Sequence, residues 1–220
     1  MNDFIKNAIR FVLPSKSLRV KLRNYIQKIS GRNLYIFVSG ANNKIIIIED
    51  GKEYVNDFKK IPQAIKINIS GNNNTVRLHS PIAKNIYIII GTPETKSHKS
   101  NDNYVEIFPI KITQSAWLNI NIQRNNNSLI MREETVITVR CSMLMGNAAK
   151  LEIGRNCLIA NVKFALNDFH KIYDIETNQV INQQKNHCII GEHCWFANDT
   201  TVLKNAQIPE NCVIGLGSIV

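Results

Sequence analysis

The C-terminal stretch "CIIGEHCWFANDTTVLKNAQIPENCVIGLGSIV", Cys188 to Val220, returns an aliphatic or aromatic side chain at every sixth position: Ile190, Phe196, Val202, Ile208, Ile214 and Val220. A helix repeats near 3.6 residues and a half-buried strand at 2, so neither ordinary period fits. Six is a multiple of two, so each hexad can be one short strand, followed by a corner that returns the next large side chain to the inside. The fifth position of each hexad holds only small residues: Cys194, Thr200, Ala206, Cys212 and Ser218, with Cys157 in the earlier "IGRNCL". Three such strands, about 18 residues, make a triangular coil with large residues stacked inside and small ones beside the corners, successive coils lying about 4.8 Å apart as parallel strands. This register predicts that Ile190, Ile208 and Ile214 are buried.

From about residue 34 onward, short aliphatic runs (Ile45–Ile48, Ile65–Ile69, Ile86–Ile90, Leu118–Ile122) alternate with asparagine-rich turns, "GANNK", "SGNNNT" and "QRNNNS". Asparagine tolerates the left-handed backbone conformation better than most non-glycine residues, which suits tight corners. A six-residue step shows here too, at Val76, Ile82 and Ile88. The expectation is a repeat architecture with irregular early coils and regular late ones.

Residues 1–33 read differently, as two short basic amphipathic helices. Phe4, Ile5, Ala8, Ile9 and Val12 share one face; Pro14 then breaks the run, and Leu18, Leu22, Tyr25, Ile26 and Ile29 form a second face before Gly31. This segment caps the body or rests on an anionic membrane surface. The formal net charge is +10. Residues 1–32 carry Lys6, Arg10, Lys16, Arg19, Lys21, Arg23, Lys28 and Arg32 against Asp3 alone. With the excess concentrated there and no zinc-finger or RNA-binding aromatic pattern beside it, nucleic acid is not an expected partner. The five cysteines form no close-set pairs and read as packing residues in a reducing cytoplasm rather than a disulfide framework or metal site. No apolar run approaches the roughly 20 residues needed to span a bilayer.

The repeats "IGRNCL", "IGEHCW", "IPENCV" and "IGLGSI" resemble those of the hexapeptide-repeat acyltransferases, whose members fold as left-handed parallel β-helices. The resemblance is good from about Leu151 to Val220 and consistent in texture from about Leu34 to Lys150. It implies an all-β, left-handed parallel β-helix over residues 34–220, carrying a short N-terminal helical segment. The six-residue step fails after "IGRNCLIANVKFA", and an insertion at about residues 165–189 intervenes. Its "NDFHKIYD", followed by "IIGEHCWF", resembles the active-site loop and following coil of capsular and surface-polysaccharide O-acetyltransferases of that superfamily. The resemblance implies an acetyl-CoA-dependent O-acetyltransferase acting on a bacterial surface polysaccharide or its sugar precursor, trimeric, with sites between subunits, His170 as general base and Trp195 beside the acyl group. It also places acetyl-CoA against the small residues Ala197, Gly215 and Ser218 of the last coils. No metal is expected.

The chemistry agrees with those roles. A sugar hydroxyl attacks a thioester only as its proton is removed, and an imidazole with an ordinary pKa near 6.5 is mostly neutral and available at pH 7. Asp168 or Asp174, on the same loop, can hold the other ring nitrogen. Backbone amides or the Trp195 indole N–H can stabilise the oxyanion. Two departures from the family pattern stand in this region: Trp195-Phe196-Ala197 where Trp-Ile-Gly is frequent, and Lys204-Asn205 where Lys-Gly is common. Val220 falls inside a hexad, where family members continue with further coil or a tail. His193, near a corner, reads as structural, His79, His98 and His187 as surface residues, and Trp117 as packing. Two other functions share this reading: an N-acetyltransferase for an amino-sugar nucleotide, and a non-catalytic carbohydrate-binding β-helix.

Overall fold

A computed structural model describes residues 35–91, 99–168, 170–182 and 186–220; the two helices expected in residues 1–33, and His98, lie outside them. The described chain is built of short strands, and its one helical element is a single 3₁₀ turn, Phe58–Lys60. Strand pairing is parallel throughout, apart from one hairpin and one small bridge. Three faces result. The first stacks Lys44–Glu49, Thr75–His79, Tyr104–Ile107, Ser128–Met131, Lys150–Ile153, His187–Ile190 and Gln207–Ile208. The second begins later, with Lys111–Ile112, residues 136–137, residues 158–159, Trp195–Phe196 and Val213–Ile214. The third runs from Ile36–Ser39 through Ile65–Ser70, Ile86–Ile90 and Trp117–Ile122 to residues 140–145, 161–166 and Thr200–Leu203. Strands Val136–Met145 and Leu158–Leu166 each turn a corner and serve both the second and third faces.

Register explains why only the late repeats are legible as hexads. Ile189 lies opposite Gln207, a step of 18 residues, and Trp195 lies opposite Val213 at the same step. Earlier, Lys44 pairs with Thr75 and Tyr104 with Ser128, so the corners there are longer and irregular. Inside, the same position of each coil stacks on the next. Ile47, Leu78, Ile107, Met131, Ile153, Ile190 and Ile208 form one buried column, and Ile67, Ile88, Ile120, Met143, Phe164 and Val202 another. Ile190 and Ile208 are buried as the hexad register predicts, whereas Ile214 is half-buried and Val220 exposed. Both belong to the last coil described.

Two residue types fix the corners. Gly154 and Gly191 sit where coils press together: a Cβ on Gly191 would lie 2.3 Å from the backbone nitrogen of Glu210. Asn42, Asn73, Asn126, Asn156, Asn205 and Asn211 take left-handed backbone angles, as expected of corner asparagines. Asparagine also does something that its turn chemistry does not foretell. Asn43, Asn74, Asn103 and Asn127 stack into a ladder at one corner, each Oδ1 accepting from the next side chain's Nδ2, at 2.9, 2.8 and 2.8 Å. Asn74, Asn103 and Asn127 are buried, so the ladder satisfies amide groups that would otherwise be stranded away from water. The hairpin of Lys44–Glu49 with Lys52–Val55, turning at Asp50-Gly51, is a second feature outside the repeat; an Asp-Gly pair between strands is its signal.

Candidate active site

The break in the hexads becomes a long excursion at the corner between the third face and the first. It leaves strand Leu158–Leu166 and rejoins at His187–Ile190, where the coil step grows to 37 residues, Lys150 lying opposite His187. The excursion starts under tight constraint, since a Cβ on Gly146 would meet the Asn167 side chain at 2.2 Å. Its outer part is a miniature hairpin. Tyr173 bridges Val180, and Ile181 N donates to Ile172 O at 2.9 Å. Asp174 organises the tip, its Oδ1 accepting from Thr177 N and Thr177 Oγ1, both at 2.8 Å, and from Glu176 N at 3.1 Å. The Thr177 and Glu176 amides hold its carboxyl below the ordinary range.

The root of the loop is braced by residues that spacing does not single out. Asn182 accepts from Ile172 N at 2.9 Å and donates from Nδ2 to Asp168 Oδ2 at 3.0 Å and to His170 O at 2.7 Å. Asp168 also forms an ion pair with Lys204 from the next coil, and the Lys204 ammonium holds the Asp168 carboxyl below its usual value. These partners lie 14 and 36 residues away in sequence, too far for any local pattern to reveal. His170 itself is exposed, its backbone nitrogen donating to Asp168 O at 2.7 Å. Among the described residues neither expected carboxylate holds its ring. Asp174 serves the hairpin tip and Asp168 faces Lys204 and Asn182, so Asp168 braces the loop from its root.

Trp195 is 49% exposed and opens a strand of the second face, its indole directed outward beside Leu158 and Val213 of the neighbouring coils, both exposed. His170 and Trp195 thus stand on different sides of the prism in one chain. Ala197, Gly215 and Ser218 gather at the corner between the second and third faces. Ala197 N donates to Ile214 O at 3.0 Å, Ser218 N to Gly215 O at 3.3 Å, and a Cβ on Gly215 would meet only Ser218 Oγ, at 3.8 Å. That corner leaves backbone open to the outside. His193 holds a left-handed corner at φ 56° and its Nδ1 lies 2.9 Å from Asn211 Oδ1, a structural position.

Two surface residues differ from the sequence reading. His79, expected as a plain surface histidine, stacks on Phe108 at 4.1 Å and bonds Glu106 through Nε2 at 2.8 Å. Trp117, expected as packing, is 41% exposed on the third face. A cleft of about 320 Å³ beside it is lined by Arg140, Ser142, Asn161, Lys163, Asp199 and Thr201 among others. Among the described residues no group of three or more His, Cys, Asp or Glu side chains converges on one point, and no helix is long and apolar enough to cross a membrane.

No family model matches the chain. In sequence it is 26% identical over 145 residues to a polysialic acid O-acetyltransferase of Neisseria meningitidis, a match covering 66% of this chain and 62% of that protein. The chain therefore matches about three fifths of the length of that curated relative. In structure it resembles the polysialic-acid-specific acetyltransferase NeuO with a TM-score of 0.64 and 23% identity, over 84% of this chain and 76% of that one. It resembles the polysialic acid O-acetyltransferase OatWY with a TM-score of 0.50 and 22% identity, over 84% of this chain and 74% of that one. The fold they share with this chain is the left-handed β-helix.

Proposed function

We propose that this chain, a left-handed β-helix similar in sequence to a polysialic acid O-acetyltransferase, carries an acetyl group from acetyl-CoA to a hydroxyl of a surface polysaccharide. The observation that carries the reading is His170, exposed on the long excursion that interrupts the late, regular coils and fixed by its backbone to a root that Asp168, Asn182 and Lys204 brace. In the reaction the sugar oxygen attacks the thioester carbonyl carbon as the His170 ring takes the hydroxyl proton. The tetrahedral oxyanion collapses, the carbon–sulfur bond breaks, and CoA leaves as the thiol with the proton returned from the imidazolium. Rigidity at the loop root matters because general-base catalysis requires the ring within hydrogen-bond reach of the hydroxyl.

The donor fits the corner of Ala197, Gly215 and Ser218, where small side chains leave backbone accessible to a narrow pantetheine arm. Trp195, exposed and on another side of the prism, serves a site completed by a neighbouring subunit. A trimer also gives cover to apolar side chains that one chain leaves outside: Ile172, Tyr173, Ile175 and Ile181 on the loop, and Leu158, Trp195 and Val213 on the second face.

The test is His170→Ala with His193→Ala as control. Loss of a general base costs about 10²–10⁴-fold in rate. His170→Ala should lose acetyl transfer by that order and keep its melting temperature, because the ring is exposed. His193→Ala should lose stability at its corner but retain transfer. Wild-type transfer in His170→Ala, beside a folded and dead His193→Ala, means that the base is the other histidine.

A further inference from the structure

The third face differs from the first in how it handles charge. On the first face and its flanks, cations meet carboxylates: Arg77 with Glu53 and Glu106, Lys60 with Glu49, Arg132 with Glu152. The strands of the third face contain no Asp or Glu. They do carry Lys66, Arg140 and Lys163, and among the described residues none of these has a carboxylate partner. Their outward neighbours are aromatic or small and polar. Lys66, Tyr87, Asn119, Ser142, Lys163 and Thr201 are successive partners in the parallel register, one per coil. At about 4.8 Å per coil the row covers about 24 Å. Lys66 Nζ stands 5.2 Å from the Tyr35 ring centre and 5.0 Å from that of Tyr87, while Trp117 flanks the row beside Arg140.

The row leads into the cleft of Arg140, Ser142, Asn161, Lys163, Asp199 and Thr201. Arg140 uses Nε to donate to Asn161 Oδ1 at 3.1 Å, which leaves its terminal nitrogens for another acceptor. Asp199, the cleft's one carboxylate, is engaged by Asn161 Nδ2 at 2.5 Å. The strand that brings Asn161 and Lys163 to the cleft, Leu158–Leu166, then runs out into the loop of His170. We infer that the third face is the acceptor platform: it binds an extended, carboxylate-bearing polysaccharide along the row from Lys66 to Thr201. The inference rests on the reading of this chain as a polysaccharide acetyltransferase and gives that acceptor its chemical class. A guanidinium fork suits a carboxylate, exposed rings offer flat faces to sugar C–H groups, and amides and hydroxyls match sugar hydroxyls. A row of this length takes several sugars at once, so binding strengthens with polymer length.

The test is a titration of the full chain with polysialic acid, polygalacturonic acid and hyaluronan, against dextran as a neutral polymer and an oligothymidylate as a polyanion without sugar carboxylates. At least one carboxylated polymer should bind, with affinity falling as salt rises, and dextran should not. Each of K66E, R140E and K163E should weaken that binding about fivefold or more, since one exposed attractive contact becomes a repulsive one. K163Q and R140Q, which remove charge without reversing it, should weaken it less and in the same order. The inference is overturned if no carboxylated polymer binds better than dextran, if the oligothymidylate outbinds all three, or if folded charge variants bind as the wild type does. Charge-dependent binding without any acetyl transfer would refute the activity and leave the platform. Acetylation of a polymer with an unchanged KM in all three reversals would refute the platform and leave the activity.

Discussion

The asparagine ladder is open to a quantitative test at its centre, by Asn103→Leu. Leucine has the same branching and heavy-atom count as asparagine, so the substitution removes polarity while keeping the side chain's connectivity. Asn103 donates from Nδ2 to Asn74 Oδ1 at 2.8 Å, and its own Oδ1 accepts from Asn127 N at 3.0 Å and Asn127 Nδ2 at 2.8 Å. Three hydrogen bonds are lost, each worth about 1 kcal/mol net. The loss falls unevenly. Asn74 Oδ1 keeps the Asn103 backbone N–H at 3.1 Å, and Asn127 Nδ2 keeps Arg124 O at 3.0 Å, but Asn127 N–H is left buried without its acceptor. That orphan adds about 1–3 kcal/mol, and burial of the new apolar side chain returns about 1–2 kcal/mol, so a net loss of about 2–5 kcal/mol is expected. Equilibrium urea unfolding of wild type and variant measures it, with hydrogen exchange of the amides around residues 103 and 127 to locate the change. A variant within about 0.5 kcal/mol of wild type would mean that the ladder contributes no stability and that its asparagines are kept only for their backbone angles.

Gly191→Ala should destabilise by about 1–3 kcal/mol, because its Cβ would sit 2.3 Å from Glu210 N and adjacent coils cannot separate freely. Gly217→Ala, with φ +70° and nothing within 4 Å, should cost only about 1–2 kcal/mol of backbone strain; melting temperatures that reverse this order would refute the account of the corner. Burial pushes the Glu106 carboxyl up, but hydrogen bonds from Tyr104, His79 and Arg77 outweigh it and hold the group below its ordinary 4.5. A folded pKa below the unfolded one stabilises at higher pH and loses that contribution as pH falls through the lowered value. Wild-type melting temperature should therefore drop from about pH 5 to about pH 3 more steeply than that of Glu106→Gln, and parallel curves would refute the network's role.

How much of this was legible follows from where the repeat is strict. Within the 18-residue steps, a large residue at one hexad position and a small one at the fifth are enough to assign inside and corner, and Ile190, Phe196, Val202 and Ile208 are buried accordingly. Earlier coils step by longer and unequal lengths, so the aliphatic runs reveal strands but not which strand lies above which. The ladder was hidden for the same reason: Asn74 and Asn103 are 29 residues apart, and their bond exists only once both coils are laid down. Trp117 and His79 read as residues without a motif because their settings, a basic sheet face and the carboxylate of Glu106, are assembled across coils. The loop of His170 was visible as an interruption of the hexads. Its braces, Asn182 and Lys204, were not, since an interruption says where a loop is and nothing about what holds it.

The separation of His170 and Trp195 leads to the sharpest test of the proposed site. An insertion at a corner is tolerated because corners carry few of the ladder bonds that hold the coils, and here it projects His170 from the junction of the third and first faces. Trp195 projects from the second face, so no single prism brings both to one substrate. If both residues act on the same acetyl group, each site joins the loop of one chain to the second face of another. His170→Ala and Trp195→Ala would then each be inactive alone. Co-expressed at equal levels, they mix in closed rings, and a site is intact wherever a chain with its histidine meets a neighbour with its tryptophan. With random assembly that combination occurs at about one interface in four, so the mixture should recover about a quarter of wild-type activity. Each parent should show the wild-type oligomeric state by light scattering, which separates this outcome from failed assembly. A mixture of well-assembled parents with no more activity than either alone would show that the two residues do not meet across an interface.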